Sequence, residues 1–349
     1  MLLVSSASVA FLLLCPAQAQ TGPQATNPPA IAAPQASPGI QQSDLPSWAF
    51  TPRSSRPPGS PRVPRPPDNG AVLHVPGSDQ GFTRHQINDA YGPPDWFPSQ
   101  HPPAPAEVTQ GRKPQGDKPG YAACGQCHLP SGYGRPENES IAGLPAGYIL
   151  EQIEDFKDGT RNSAAPNMAL TLMIPVASVL TPEEAKETAE YYASVKPVPW
   201  IRVVETTTVP KTHANNWMLI PDTDGGTEPI GNRVIEVPES AELAEMRDSG
   251  SGFVAYVPVD SIKRGEQIVR TGDNGKTTAC VICHGQDLRG LGNIPPLAGR
   301  SPSQMARQIY DFKTGARNGV NAPLMKGPVQ NLSDTDIVDI VAYLASLKQ

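Results

Sequence analysis

Cys280-Val281-Ile282-Cys283-His284 and Cys124-Gly125-Gln126-Cys127-His128 are the stretches of this 349-residue chain whose residue types and spacing could do chemistry. Two cysteines three positions apart, followed at once by a histidine, have the spacing of a c-type haem attachment site. On one tight helical turn the thiols at i and i+3 both reach the vinyl groups of a single porphyrin. The imidazole at i+4 then lies under the iron as an axial ligand. A lone CxxC also fits a thioredoxin-like redox pair or half a zinc site. Four such cysteines and two histidines could make zinc knuckles or disulfides, but a histidine closing both copies within a matching repeat selects two covalent haems.

A histidine-ligated iron needs a second protein ligand or keeps an open site, and a methionine thioether is the soft ligand that raises the potential. In the second copy Met325 is the candidate, 41 residues after His284 in the stretch Asn321-Ala322-Pro323-Leu324-Met325, which reads as irregular. Met305 falls on an amphipathic pattern and reads as packing. The first copy offers Met168 and Met173. Counting forward from Arg161-Asn162 favours Met168. Counting back from the last helix favours Met173, because Leu180 and Leu332 each lie seven residues after their methionine. We take Met173 as the expected ligand; for either residue the plainer role is an apolar gap-filler.

These residues sit in an internal repeat. An offset of 156 maps His128 to His284, Ala142-Gly143 to Ala298-Gly299, Gln152-Ile153 to Gln308-Ile309, Asp155-Phe156-Lys157 to Asp311-Phe312-Lys313, and Arg161-Asn162 to Arg317-Asn318. After a four-residue difference, an offset of 152 maps Met173 to Met325 and Tyr191 to Tyr343. Each unit reads as helical. Ile149, Ile153 and Phe156, and likewise Met305, Ile309 and Phe312, recur at i, i+4 and i+7. Ser301 with Pro302 opens the second of these helices, and Gly159 and Gly315 close the pair. Thr181-Pro182-Glu183-Glu184 and Ser333-Asp334-Thr335-Asp336 are capping-box signals for a closing helix. Behind Ser333 an apolar face follows at Ile337, Ile340, Val341 and Leu344.

The remaining chain is unlike the repeat. Residues 1–19 read as a secretory signal, with an apolar stretch through Phe11-Leu12-Leu13-Leu14 and an Ala17-Gln18-Ala19 cleavage site, although no Lys or Arg precedes it. Cys15 is expected to leave with it rather than to anchor a lipid. Of the 41 prolines, 23 precede Tyr121, so residues 20–105 are expected to form an extended tail. Its aromatic stretch Ala90–Phe97 could dock on the first unit, and its histidines His74, His85 and His101 read as exposed. Residues 200–257 have no counterpart in the repeat. They hold 4 basic against 9 acidic residues and two β-like runs, Val234–Val237 and Phe253–Val257, and are expected to be an insertion with a hairpin, serving as an acidic solvated connector. The net charge of -6 excludes a general nucleic-acid surface. It is uneven: residues 106–200 carry 8 basic against 12 acidic residues, and residues 260–349 carry 11 against 8.

With CxxCH, a downstream methionine and a closing helix in both halves, the chain resembles tandem class I cytochromes c of the diheme c-four type, over residues 106–200 and 256–349. The resemblance implies a mostly α fold. Its parts are a signal peptide (1–19), a Pro-rich tail (20–105), cytochrome c domain 1 (106–200), a β-containing connector insertion (201–255) and cytochrome c domain 2 (256–349). It implies that Cys124 and Cys127 hold the first haem between His128 and Met173, and that Cys280 and Cys283 hold the second between His284 and Met325. It also implies electron transfer outside the cytoplasm. Members usually have a helix before CxxCH that crosses the last helix through a Gly–aromatic contact. Gly265 and Tyr343 supply it in the second unit, whereas Pro114 and Pro119 interrupt the first. A proline carbonyl often accepts the proximal imidazole N–H. Pro295-Pro296 fits this, but the first unit has Glu139-Ser140, so unequal haem potentials are expected.

Three functions follow from these features. The first is a periplasmic electron carrier, without catalysis of its own, between a donor dehydrogenase or quinol-oxidising complex and an acceptor oxidase or reductase. The second is a diheme oxidoreductase with one open-site haem, for which His213 is a rival ligand. The third is a subunit docked on a larger respiratory or dehydrogenase complex through the tail and connector.

Overall fold

The computed structural model describes residues 44–55 and 68–349 apart from 166, 167 and 224, with the side chains of 166–171 also outside the description. The signal segment 1–19, its cleavage site near Ala19 and Cys15 lie outside the described residues.

Before the first repeat unit, β1 (Val72–Leu73) pairs antiparallel with β2 (Phe82–Thr83), and Thr83 caps α1 (Arg84–Ile87). A 3-10 turn at Pro98–Gln100 leads to α2 (Ala106–Thr109). The first unit then comprises α3 (Gly125–His128), α4 (Ala146–Lys157), α5 (Met168–Val179) and α6 (Pro182–Ser194). The insertion runs through β3 (Ile201–Thr206), β4 (Thr208–Pro210), β5 (Thr212–Asn215), β6 (Met218–Pro221), β7 (Thr227–Pro229), β8 (Ile235–Pro238), α7 (Ala241–Glu245) and β9 (Phe253–Pro258). The second unit comprises α8 (Ser261–Thr271), α9 (Val281–His284), α10 (Pro302–Thr314), α11 (Pro323–Gln330) and α12 (Asp334–Ser346).

The helix ends follow their local chemistry. Thr181 with Glu184, and Ser333 with Asp336, form reciprocal capping boxes at α6 and α12, which satisfy orphan N–H groups. Ser301 caps α10 with Pro302 as its first residue. Gly315 ends it at φ 75°, a conformation that costs glycine no Cβ clash. The face Ile337, Ile340, Val341 and Leu344 is buried. At the start of the second unit, α8 lies on α12 so closely that a Cβ at Gly265 would strike the Asp339 carbonyl and lie 2.9 Å from Tyr343 Cβ. The first unit has only the four-residue α2 in that place, since Pro114 and Pro119 cannot donate to a helical ladder. Arg112 takes over part of the contact, pairing with Glu184 of α6 at 2.7 Å and lying over the Tyr121 ring.

The insertion is not a solvated connector. β9 pairs with β3 in parallel and with β8 in antiparallel, and its Val254, Ala255 and Val257 are buried in one cluster with α8, α10 and α12. Two hairpin-like ladders, β4–β7 and β5–β6, extend it. The acidic count misled because Glu205, Glu239, Glu242 and Glu245 are exposed while apolar residues of β8 and β9 are buried with the second unit, where Glu236 is itself buried and accepts from Ser301 and Ser303. β9 itself runs across the expected boundary at 255/256.

The described part of the tail is also ordered. Trp48 and Ala49 are buried in the cluster of the second unit, Phe50 stacks edge-on to Tyr310, and Arg307 donates to the Ala49 carbonyl at 2.8 Å. Trp96 is buried with Val75, Ile87 and Met246, and its indole N–H donates to the Met246 carbonyl at 2.8 Å. The Ala90–Phe97 stretch touches the first unit as well, through Ala123 N–H to the Ala90 carbonyl at 2.8 Å. A few large aromatic anchors thus order a segment whose average composition points to disorder. His74 and His85 are exposed, as expected. His101 is not: its side chain is 4% exposed, with Nε2 3.2 Å from Asp95 Oδ1.

Candidate haem sites

In both copies the second cysteine and the histidine lie on a single helical turn, α3 and α9, with the first cysteine as N-cap. Burial lowers the pKa of His128 and of His284, so each imidazole is neutral. His128 Nδ1 lies 2.8 Å from the Glu139 carbonyl, and His284 Nδ1 lies 2.8 Å from the Pro295 carbonyl. A carbonyl can only accept, so the proton is on Nδ1 and the lone pair of Nε2 is left for a metal. The first unit, with Glu139-Ser140 where the second has Pro295-Pro296, makes the same bond. The acceptor is a main-chain carbonyl 11 residues after the histidine, which glutamate supplies as well as proline does.

In the second unit Cys280, Cys283, His284 and Met325 all line one cavity of about 360 Å³, together with Leu297, Ile309 and Phe312. Met325 lies in the first turn of α11 rather than in an irregular stretch, because Pro323 is acceptable at the start of a helix. Met305 is buried on α10 and also reaches the cavity wall. In the first unit Cys124 and Met173 pack against the same apolar cluster, which holds Ile149, Ile153, Phe156 and Tyr192. Met173 is on α5, again helical rather than looped. Met168 opens α5, but its side chain falls outside the described residues. Burial pushes the Cys124 thiol up to about 12 and the Cys280 thiol to about 11. His213 sits on β5 with Nδ1 2.8 Å from Asp222 Oδ1, and is not among the cavity-lining residues.

Two neutral imidazoles with fixed tautomers, paired thiols on one turn, and an apolar cavity closed by a thioether suit a covalent haem and not a zinc site. Among the described residues no cluster of three or more His, Cys, Asp or Glu is placed to hold a metal ion. The comparisons agree. A profile of the Cytochrome c family matches residues 262–348. Cytochrome c-554(548) of Halomonas halodenitrificans is 46% identical over 72 residues, 20% of this chain and 87% of that protein. The chain belongs to the cytochrome c family. Cytochrome c4 of Stutzerimonas stutzeri is 26% identical over 256 residues, 71% of this chain and 91% of that one. The thiosulfate dehydrogenase electron acceptor of Thiomonas intermedia is 27% identical over 232 residues, 65% of this chain and 80% of that one. This cytochrome c therefore has two cytochrome c domains and two covalently bound haem c groups, and it is an electron-transfer protein.

Sequence reasoning passed over the polar residues at the junction of the two units. Asn162 N–H donates to the Ala316 carbonyl at 2.9 Å, and Asn318 N–H donates to the Thr160 carbonyl at 2.7 Å, a reciprocal pair in repeat register. Arg317 donates to the Tyr148 hydroxyl at 2.8 Å, to Gln152 at 2.7 Å and to Gln308 at 3.0 Å. Arg161 donates to Glu139 at 2.8 Å and to Gln308 at 3.2 Å. Arg300 reaches the Ser140 and Ala142 carbonyls of the first unit. The signal was present in the repeat, which keeps Gln152/Gln308 and Arg161/Arg317 although neither pair belongs to an apolar face.

Proposed function

We propose that this cytochrome is a periplasmic carrier that accepts electrons from a donor dehydrogenase and yields them to an acceptor oxidase or reductase. Cys124 and Cys127 would hold the first haem, with His128 and Met173 as its protein ligands; Cys280 and Cys283 would hold the second, with His284 and Met325. When bound, each haem supplies a one-electron Fe(III)/Fe(II) couple. The Glu139 and Pro295 carbonyls fix the two imidazoles, and the Met173 and Met325 thioethers would complete the protein ligation, so that little would have to move when the charge changes. The single observation that carries this reading is the second cavity, where two thiols, an oriented imidazole and a thioether face one apolar space.

The Thiomonas relative supports a dehydrogenase as donor. Ile282, Leu291, Val320 and Leu324 of the second unit are exposed and provide apolar surface for a partner. No helix among the described residues is long and apolar enough to cross a membrane. The test is the far-red band of thioether-to-ferric-haem ligation, read in wild type beside Met173→Ala and Met325→Ala. Each substitution removes about half of it if both ligands are assigned correctly. An unchanged band in Met173→Ala rejects that residue, and a high-spin, cyanide-responsive wild type rejects the carrier.

A further inference from the structure

We propose that residues 87–97 and 244–250, two segments outside the repeat, form one cap over the haem-attachment turn of the first unit and close that edge of the site to redox partners. The inference rests on the assignment of the first haem to Cys124 and Cys127 proposed above.

The two segments first hold each other. Trp96 is buried with Ile87 and Met246, and its indole N–H donates to the Met246 carbonyl at 2.8 Å. Arg247 Nε donates to the Ile87 carbonyl at 3.2 Å, and a Cβ at Gly250 would lie 3.3 Å from the Phe97 ring. Together they then close on the turn 123–127. Ala123 N–H donates to the Ala90 carbonyl at 2.8 Å. Pro93 packs on Gly125, where a Cβ would lie 3.4 Å from Pro93 Cγ. Arg247 also donates to the Gln126 carbonyl, between the two cysteines. The Gln126 amide, turned to meet both neighbours, donates to the Asp89 carbonyl at 3.2 Å and accepts from Arg247 at 2.8 Å.

Arg247 is the clasp. Its planar fork reaches one segment and the turn at once, which a point charge could not do. It does so from a backbone φ of 61°, the left-handed region that disfavours any residue with a Cβ. Such strain persists where the surroundings over-determine it, and it clusters at functional sites. The turn itself does not require a cover. Ile282, at the register position of Gln126 in the second copy, is 65% exposed. Thioether bonds tie one edge of a porphyrin to the turn, so a layer over the turn keeps a partner protein away from that edge.

The test is NMR of the ferrous holoprotein with a soluble gadolinium chelate, read as broadening of the assigned thioether-bridge proton signals of the first haem. Amide exchange of Ala123 is measured alongside. Arg247→Gln and Trp96→Ala raise the broadening at the first haem several-fold, leave the second haem as it was and speed Ala123 exchange. The far-red band of the ferric protein persists in both. The proposal is overturned if the chelate broadens the first-haem signals of wild type as strongly as those of the variants, or if Ala123 exchanges equally in all three proteins. Should Trp96→Ala fail to take up haem, Arg247→Gln, which leaves the aromatic cluster in place, decides the matter. A wild type without thioether-bridge signals from the first unit would overturn the haem assignment, and the inference with it.

Discussion

At the scale of single residues, the tightest geometric demand lies at Gly265, not at a ligand. Its missing Cβ lets α8 settle against the Asp339 carbonyl and Tyr343, so any side chain there separates the helices that frame the second haem site. Overpacking of this kind costs about 1–3 kcal/mol, and the backbone contact puts Gly265→Val at the upper end. Chemical denaturation of the holoprotein should show a midpoint loss of that size. Gly327→Ala on α11, where nothing lies within 4 Å, should leave the midpoint unchanged or raise it; an equal loss in both variants would deny that the crossing is special. Gly265 was legible in the sequence, as were both CxxCH motifs, because covalent attachment and a glycine crossing demand particular side chains. The Glu139 carbonyl beside His128 was not, since a main-chain acceptor leaves no mark on residue type.

At the scale of elements, the segment before the first unit takes the place of a missing helix, and His101 is its latch. With the ring protonated, Nε2–H donates to Asp95 at 3.2 Å and Nδ1–H points to the Pro102 carbonyl and the Tyr191 hydroxyl oxygen, both at 2.9 Å. Tyr191 in turn donates to the Pro130 carbonyl at 2.8 Å, just after the haem-binding turn. The Asp95 hydrogen bond is the largest effect on His101 and raises its pKa above the ordinary value of 6.5 against the pull of burial. A raised folded-state pKa means the latch is fully engaged below about 6.5 and is lost as pH rises through the folded value. Hydrogen exchange of residues 95–105 should therefore accelerate across that window, and Asp95→Asn should flatten the response. A pH-independent wild type would show that the contact is not ionic. Composition hid this element because aromatic and histidine anchors are few against many prolines. The capped helices, by contrast, carried their start and stop signals locally. The parallel pairing of β3 with β9 was hidden for another reason: its partners are some 50 residues apart and neither strand names the other.

At the scale of the molecule, duplication has produced two similar units that meet on their repeat-equivalent residues and are then fastened by residues that do not repeat. The symmetric part is the Arg161–Arg317 bridge, with the reciprocal bonds of Asn162 and Asn318. The asymmetric part is Arg300, whose counterpart in the first unit is Leu144, and which donates to the Ser140 and Ala142 carbonyls while almost fully buried. Arg307 adds a second tie, joining Ala49 and Pro136 across the same junction. Charge-assisted bonds of this kind contribute about 1.5–3 kcal/mol each, and a carbonyl left buried without its donor adds a penalty. The described residues fall in one compact unit, so calorimetry of the holoprotein should give a single transition. Arg300→Leu restores the residue type of the first copy while cutting the tie. It should split the transition in two without altering the spectrum of either haem, because Arg300 bonds to backbone rather than to a proximal histidine. A single unshifted transition in Arg300→Leu would mean that the symmetric contacts and the apolar junction alone couple the halves.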